Sequence, residues 1–448
     1  MNYTREFYNM MVKGAEAYAR WDLEASTNIL RSRKRMGILF LLLIPILLGG
    51  IAIAAGDGAG LPHVIGGKTA YMPSHYTNVI FFASIFVGLC AGLITGCIGA
   101  GGGFIIAPAL MSAGVKGILA VGTDLFHIFA KAIMGSVLHR KLGNISVSLA
   151  VTFLIGSIAG ATMGGMLNRY LYDLNPVLSD LFITTVYVFI LGFLSFYAMM
   201  DYWTARRGEA KMTEADKKSP RDEQIPAMGK RLQSVHIPPM LTFDQGVTPG
   251  GRKISAVFLV ISGLIVGLAA SIMGVGGGFL TFPIFVYGLG VSSMTTVGTD
   301  IFQIVFTAGY SSLSQYAFYG FVFYTLAMGM LLGSLIGVQV GSLVTKVVPG
   351  IMIRGFFALA VTAGFINRFF AMPEKLQSLG YLQISKGTGA ILNTVGNTLF
   401  FLAIGTFTVW VFYVFFKNMK ELRSEDSYPH SDDFNQDSKL KEFRTEGN

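Results

Sequence analysis

Charged side chains are scarce in this chain of 448 residues, because Asp, Glu, Lys and Arg make up only 13% of it. Soluble globular proteins carry roughly 25% charged residues, so the deficit excludes an ordinary soluble protein. Cysteine is nearly absent as well. Cys90 and Cys97 lie within one apolar run, which excludes a disulfide framework. Residues 1–35 are polar and precede the first apolar run, so we expect no cleavable signal peptide.

Apolar residues are abundant instead: they fill 52% of the chain, and the mean hydropathy is +0.58. Repeated apolar runs of about 20 residues predict an all-α, polytopic integral membrane protein that sits in the lipid bilayer. The net charge of +9 is concentrated in segments between these runs. It therefore indicates membrane topology, and we expect no nucleic-acid partner. No metal-binding or cofactor motif is present, so we expect neither a metal nor a cofactor.

One stretch occurs twice and organises the rest of the chain. Residues 88–108 and 263–283 share a Gly-x-Gly-Gly-Gly-Phe cluster followed by a proline. Each copy is followed by Val-Gly-Thr-Asp and then by Gly-Ser-x-x-Gly, in the same order. This pattern predicts two structural repeats of one ancestral unit, at 77–200 and 254–371.

Lysine and arginine predict the orientation of the segments between the apolar runs. Cytoplasmic segments carry an excess of these residues, which places both termini and the loop between the repeats in the cytoplasm of a multi-pass protein of the inner (cytoplasmic) membrane. Repeat one then starts outside and repeat two starts inside, so we expect inverted repeats. A homo-oligomer is left open. The other predicted segments are a cytoplasmic N-terminal segment (1–35), an extra span (36–55), a cytoplasmic loop (201–253), a second extra span (389–416) and a cytoplasmic tail (417–448).

Each glycine cluster predicts a broken helix, because each Gly costs about 1 kcal/mol in a helix relative to Ala. Such a break is tolerated at membrane depth only where it lines a cavity or is buried in protein. Pro108 and Pro283 lie within reach of the first turn of a new helix, whose free N–H groups could face an anion. Alternatively, the glycines only allow close helix packing. The predicted substrate-binding residues are Gly99, Gly101, Gly102, Gly103, Phe104, Gly274, Gly276, Gly277, Gly278 and Phe279, together with Thr123 and Thr299.

Polar residues follow each break. Asp124, His127 and Lys131 share one helix face, and Asp300 and Gln303 hold the first two of these positions in the second copy. An intramembrane carboxylate costs about 3 kcal/mol on some scales, which favours a functional role. Asp124 or Asp300 could bind a coupling proton that His127 relays. The alternative is that each aspartate caps a helix. Lys131 could attract an anion or extend to the cytoplasmic headgroups.

The three blocks, in order and twice, resemble the TauE/SafE sulfite exporter family over about 80–200 and 255–370. The resemblance implies an inner-membrane carrier of sulfite, organosulfonates or related small anions. Asp124 and Asp300 depart from the family pattern, in which a small residue commonly follows Gly-Thr.

The sequence therefore predicts a secondary transporter of a small oxyanion, coupled to an ion or to the membrane potential, and not an enzyme. One alternative is an intramembrane enzyme that uses Asp124 and Asp300 as paired acid and base. The glycine clusters would have no role in such an enzyme. Another is a membrane scaffold or sensor that docks partners through the loop at 201–253.

Overall fold

A computed structural model describes residues 78–98, 102–141, 145–209, 227–244, 251–345, 347–348 and 350–418. These residues are almost entirely helical. The α-helices are α1 (Asn78–Ile98), α2 (Gly103–Ser112), α3 (Gly117–Lys141), α4 (Val147–Leu174), α5 (Pro176–Glu209), α6 (Ala227–Ser234), α7 (Ala256–Met273), α8 (Gly278–Pro283), α9 (Ser293–Tyr310), α10 (Tyr324–Val344), α11 (Gly350–Ser378) and α12 (Lys386–Lys417). Strands β1 (Met240–Phe243) and β2 (Arg252–Ser255) form an antiparallel pair, π-helical turns span Ile284–Leu289 and Ser311–Tyr316, and a 3₁₀ turn spans Ala317–Tyr319.

Six helices of the described part are long and apolar enough to cross a membrane: α4, α5, α7, α10, α11 and α12. Together with the near absence of strands, they confirm the expectation of an all-α, polytopic membrane protein. The predicted segments 1–35 and 36–55, and nearly all of 417–448, lie outside the described residues.

Both repeats contain a helix that is interrupted at the glycine cluster, as the sequence predicts. In repeat two, α7 ends at Met273 and α8 begins at Gly278, with positive φ at Gly274, Gly276 and Gly277. Residues with a Cβ rarely adopt a positive φ, so glycine is favoured at these three positions. In repeat one, α1 ends at Ile98 and α2 begins at Gly103.

The positions of the two prolines differ from the expectation. Both new helices begin at glycine, so Pro108 lies beyond the first turn of α2 and Pro283 is the last residue of α8. Before α2, the amide of Gly102 donates to Thr95 Oγ1 at 2.8 Å. This side-chain acceptor satisfies a backbone donor at the N-terminus of α2, so the helix does not need the proline to begin.

The two repeats exchange helices: the first long helix of each repeat packs against the third long helix of the other. Helix α1 packs along α10, and α4 packs along α7. Both contacts are made by glycines. A Cβ on Gly92 would lie 2.6 Å from the carbonyl oxygen of Ser334, and a Cβ on Gly164 would lie 2.8 Å from that of Leu268. Backbones approach this closely only where side chains are small. Gly92 on α1 and Gly164 on α4 therefore serve helix packing.

Equivalent helices of the two repeats also contact each other directly. Near its start α3 contacts Tyr316, and further along it contacts Gly309, so α3 and α9 run antiparallel. Helices α5 and α11 are antiparallel as well, because Gly192 lies against Phe365 and Tyr202 lies against Gly355.

A small unit lies between the two repeats along the chain. It consists of α6 and the β1–β2 pair, and α6 packs on the π-helical turn after α8. The Asp244 carboxylate accepts hydrogen bonds from the amide and the hydroxyl of Ser292, at 2.9 and 2.8 Å, and Ser292 is the N-cap of α9. Arg252 lies 3.5 Å from Asp244 and donates to the carbonyl of Gly290. Through these contacts the unit anchors the start of α9, which follows the half-helix α8 of repeat two.

Candidate functional site

The two glycine breaks meet inside the protein. A Cβ on Gly103, at the start of α2, would lie 3.1 Å from the Cα of Val275, within the other break. A Cβ on Gly274 would lie 2.7 Å from the Cα of Val121, near the start of α3. Phe104 is fully buried and Phe279 nearly so. The structure thus brings the described predicted glycines together, whereas Gly99 and Gly101 lie outside the described residues.

Unpaired amides lie at the start of α8. The amides of Leu280 and Thr281 both donate to the carbonyl of Gly277, but the amides of Gly278 and Phe279 have no acceptor among the described residues. The first N–H groups of a helix are unsatisfied within it and attract anions. Asp300 lies beside them, because a Cβ on Gly278 would be 3.1 Å from its Oδ2.

The carbonyl end of α7, on the other side of this break, is capped by buried side chains that the sequence analysis did not identify. Tyr187 donates to the carbonyl of Met273, and Tyr316 donates to that of Ser271. Asn168 donates to the carbonyl of Ile272 at 3.2 Å and to the Tyr316 hydroxyl at 2.9 Å. The last carbonyls of a helix need such partners. Only Asn168 could have been noticed in the sequence, because it is a polar residue within an apolar run.

Thr123 and Thr299 make equivalent contacts between the repeats. Thr123 Oγ1 accepts from the amide of Phe323, which precedes α10, and Thr299 Oγ1 accepts from the amide of Ser146, which precedes α4, each at 3.0 Å. Both threonines are fully buried. Their oxygens are thus engaged in joining one repeat to the other, and a direct contact with a substrate stays a prediction.

Asp124 and His127 form a buried pair on α3. His127 Nδ1 lies 3.6 Å from Asp124 Oδ1, and His127 Nε2 lies 3.1 Å from Ser334 Oγ on α10. No described residue gives Asp124 a hydrogen bond of ordinary geometry, although the backbone of Ala107 is close. The cap interpretation of Asp124 therefore lacks a bonded amide.

His127 Nε2 and Ser334 Oγ can pair in two ways, but the 3.6 Å between His127 Nδ1 and Asp124 Oδ1 is longer than a hydrogen bond, so a proton relay through this pair stays a prediction. The Ser334 hydroxyl can donate either to the carbonyl of Leu331, at 3.2 Å, or to His127 Nε2. In the first case Nε2–H donates to Ser334, and Nδ1 is an acceptor that faces protonated Asp124. In the second case Nδ1–H faces the carboxylate. Rotation of the Ser334 hydroxyl is therefore compatible with the proton either on Asp124 or on His127 Nδ1.

The second copy has a hydrogen-bond chain that leads to Asp300 in place of this pair. Gln303 Nε2 donates to Asp300 Oδ1 at 2.9 Å, and Gln303 Oε1 accepts from Thr307 at 2.7 Å. The Thr307 hydroxyl gives its one hydrogen to Gln303, and Ser157 on α4 can donate either to Thr307, at 2.8 Å, or to the carbonyl of Leu154, at 3.3 Å. Gln303 and Thr307 both donate in the direction of Asp300, which therefore acts as an acceptor in this chain.

Arg368 on α11 is a buried cation that the sequence analysis overlooked, although arginine is rare within an apolar span. Only 2% of its surface is exposed. Its Nε donates to Asn367 Oδ1 at 2.7 Å, and its Nη2 donates to Ser112 Oγ at 2.8 Å and to the carbonyl of Pro108 at 3.2 Å. Arg368 therefore ties the last turn of α2 to α11.

A bundle of apolar spans with two broken helices that meet in its interior defines a polytopic membrane transporter. The family described as "Sulfite exporter TauE/SafE" matches residues 84–368, and this chain belongs to it. Two relatives from Bacillus subtilis (strain 168) are each named a probable membrane transporter protein. YjnA is 27% identical over 58% of this chain and 87% of its own length, and YunE is 22% identical over 59% and 89%. A probable membrane transporter protein of Methanocaldococcus jannaschii is 34% identical over 22% of this chain and 39% of its own length. No solved structure matches the chain.

Proposed function

We propose that this protein is a secondary transporter of a small oxyanion such as sulfite or an organosulfonate, and not an enzyme. The observation that carries the proposal is the pair of glycine breaks that meet in the core, with the unpaired amides of Gly278 and Phe279 beside them. Half-helix N-termini of this kind bind the anionic groups of substrates in transporters with broken helices. The family name given above agrees with a sulfur oxyanion.

The proposal includes an inverted arrangement of the two repeats in the cytoplasmic membrane. The antiparallel contacts of α3 with α9 and of α5 with α11 support it, since equivalent helices of inverted repeats run in opposite directions. With the substrate site between the repeats, small movements of one repeat against the other would open it to each side in turn. The exchanged pairs α1–α10 and α4–α7 would then move as units, because their backbones are in contact.

Coupling to protons is assigned to Asp124, with His127 as its relay. Lys131 on the same helix is electrostatically coupled to this pair, the neutral Tyr187 hydroxyl on α5 is coupled to Asp124, and Tyr187 is coupled in turn to Arg368 on α11. Asp300 has a fixed acceptor role in the proposed scheme, because its neighbour is an amide and cannot take up a proton.

Flux into proteoliposomes tests the proposed function. We expect labelled sulfite, thiosulfate, sulfoacetate or sulfate to enter vesicles that contain the purified protein, faster than protein-free vesicles, and to accumulate when a pH gradient is imposed. The absence of flux for all four anions, under every gradient of pH or potential, would contradict oxyanion transport.

A further inference from the structure

Arg368 carries a charge that no described carboxylate contacts, and the Asp180 carboxylate stabilises it only from beyond 4.0 Å. Three carbonyl, amide or hydroxyl oxygens accept from its Nε and Nη2, but no carboxylate of the described residues lies within 4.0 Å. A buried cation without an anionic partner is costly, and intramembrane charges usually mark a substrate pathway.

Part of the guanidinium is available for a ligand. It has five N–H donors, and those on Nη1 have no acceptor among the described residues. Arg presents a planar fork that matches the oxygens of carboxylate-like and phosphate-like anions. A sulfite or sulfonate group offers the same arrangement of oxygens.

The position of Arg368 relates it to the break. Helix α11 runs beside α2, because Gly364 faces the carbonyl of Phe104 and Arg368 bonds that of Pro108, one turn further along both helices. Pro108 lies five residues into α2, which is about 8 Å along the helix axis from Gly103. Arg368 is thus close to the meeting point of the breaks, on the side where α2 ends.

We propose that Arg368 forms an anion-binding station on the transport path, about one and a half helical turns beyond the glycine breaks, and that its Nη1 group binds the oxyanion of the substrate. The station rests on the proposed function, since it supplies the positive charge that the backbone amides lack. An anion that leaves the break on that side meets a fixed cation with free donors.

The test compares variants of the full-length protein in proteoliposomes with labelled sulfite. Arg368→Gln removes the charge and is expected to raise KM at least about tenfold, which is the loss typical of one hydrogen bond to a charged group. Arg368→Lys keeps the charge without the fork and is expected to give an intermediate KM. Ser112→Ala removes one structural partner of Arg368 while the guanidinium remains, so its KM should match that of the wild type.

Three results separate the interpretations. If Arg368 only holds α2 in place, Arg368→Gln and Ser112→Ala both lower the melting temperature while KM stays unchanged in the surviving protein, and the station is refuted. If Arg368→Gln does not fold, a wild-type KM in Arg368→Lys refutes the fork geometry. Wild-type protein without any anion flux contradicts the proposed function itself, which is a different outcome.

Discussion

Replacing Asp124 by Asn separates proton coupling from anion binding. The Asp124 carboxylate lies 3.6 Å from His127 and has no hydrogen-bond partner of ordinary geometry in the described residues. Asn has nearly the same shape but cannot take up a proton. We therefore expect Asp124→Asn to fold and to exchange substrate at a rate close to that of the wild type, while it loses its response to pH.

The size of the effect follows from one proton per transported anion. A pH difference of one unit corresponds to 1.36 kcal/mol per proton, which supports about a tenfold accumulation of substrate. Asp124→Asn should lower this factor from about ten to one. Asp300→Asn is the matched control, because it weakens the hydrogen bond from Gln303 without removing a relay. It should reduce stability by about 1.5 to 3 kcal/mol and keep the tenfold accumulation.

The assay measures labelled sulfite in proteoliposomes at a pH difference of zero and of one unit, in both directions, and counterflow exchange without a gradient. A tenfold pH-driven accumulation in Asp124→Asn would refute the coupling role. Loss of accumulation only in Asp300→Asn would indicate that Asp300, and not Asp124, binds the coupling proton.

Other expectations follow from the packing and the charge distribution. Gly333→Ala places a Cβ against the backbone of Ile85 on α1 and should cost about 1 to 3 kcal/mol in thermal unfolding. Gly405→Ala on α12 meets no atom within 4 Å and should cost nothing, and equal stability of the two variants would contradict backbone contact. Asp244→Ala leaves the amide and hydroxyl of Ser292 without their acceptor, so it should cost about 1 to 3 kcal/mol and speed amide exchange at the start of α9, and unchanged exchange would count against this contact. Gln377→Cys should react with an impermeant thiol reagent in intact cells, and Lys230→Cys should not; the reverse pattern would overturn the orientation.

Much of the fold could be predicted because glycine and apolar periodicity act locally. The breaks after Ile98 and Met273 follow from the low helix propensity of clustered glycines. The polar positions Asp124 and Asp300 could be singled out because a charge is costly in an apolar span.

Contacts between distant elements could not be predicted in this way. Nothing local shows that Ser334 of one repeat reaches His127 of the other, or that Thr123 binds the amide of Phe323. The caps on the carbonyls of α7 depend on three helices that meet in space. Arg368 lies outside the repeated blocks, and repeat one has no arginine at the matching position, so no repeated pattern marks it.

Ligand-dependent melting of Gly278→Ala tests anion binding at the start of α8 most directly. A Cβ there would meet only the tips of Asp300 and Ile304, at 3.1 and 3.3 Å, and the glycine does not have a positive φ, so the fold should tolerate alanine. A bound ligand stabilises the native state by about 2.7 kcal/mol at a hundredfold excess over its Kd. With sulfite, wild type and the control Gly405→Ala should show this rise in Tm at the same concentrations. Gly278→Ala should need about tenfold more sulfite, which is the loss of one charge-assisted hydrogen bond. An identical concentration dependence in all three proteins would show that the anion is bound elsewhere.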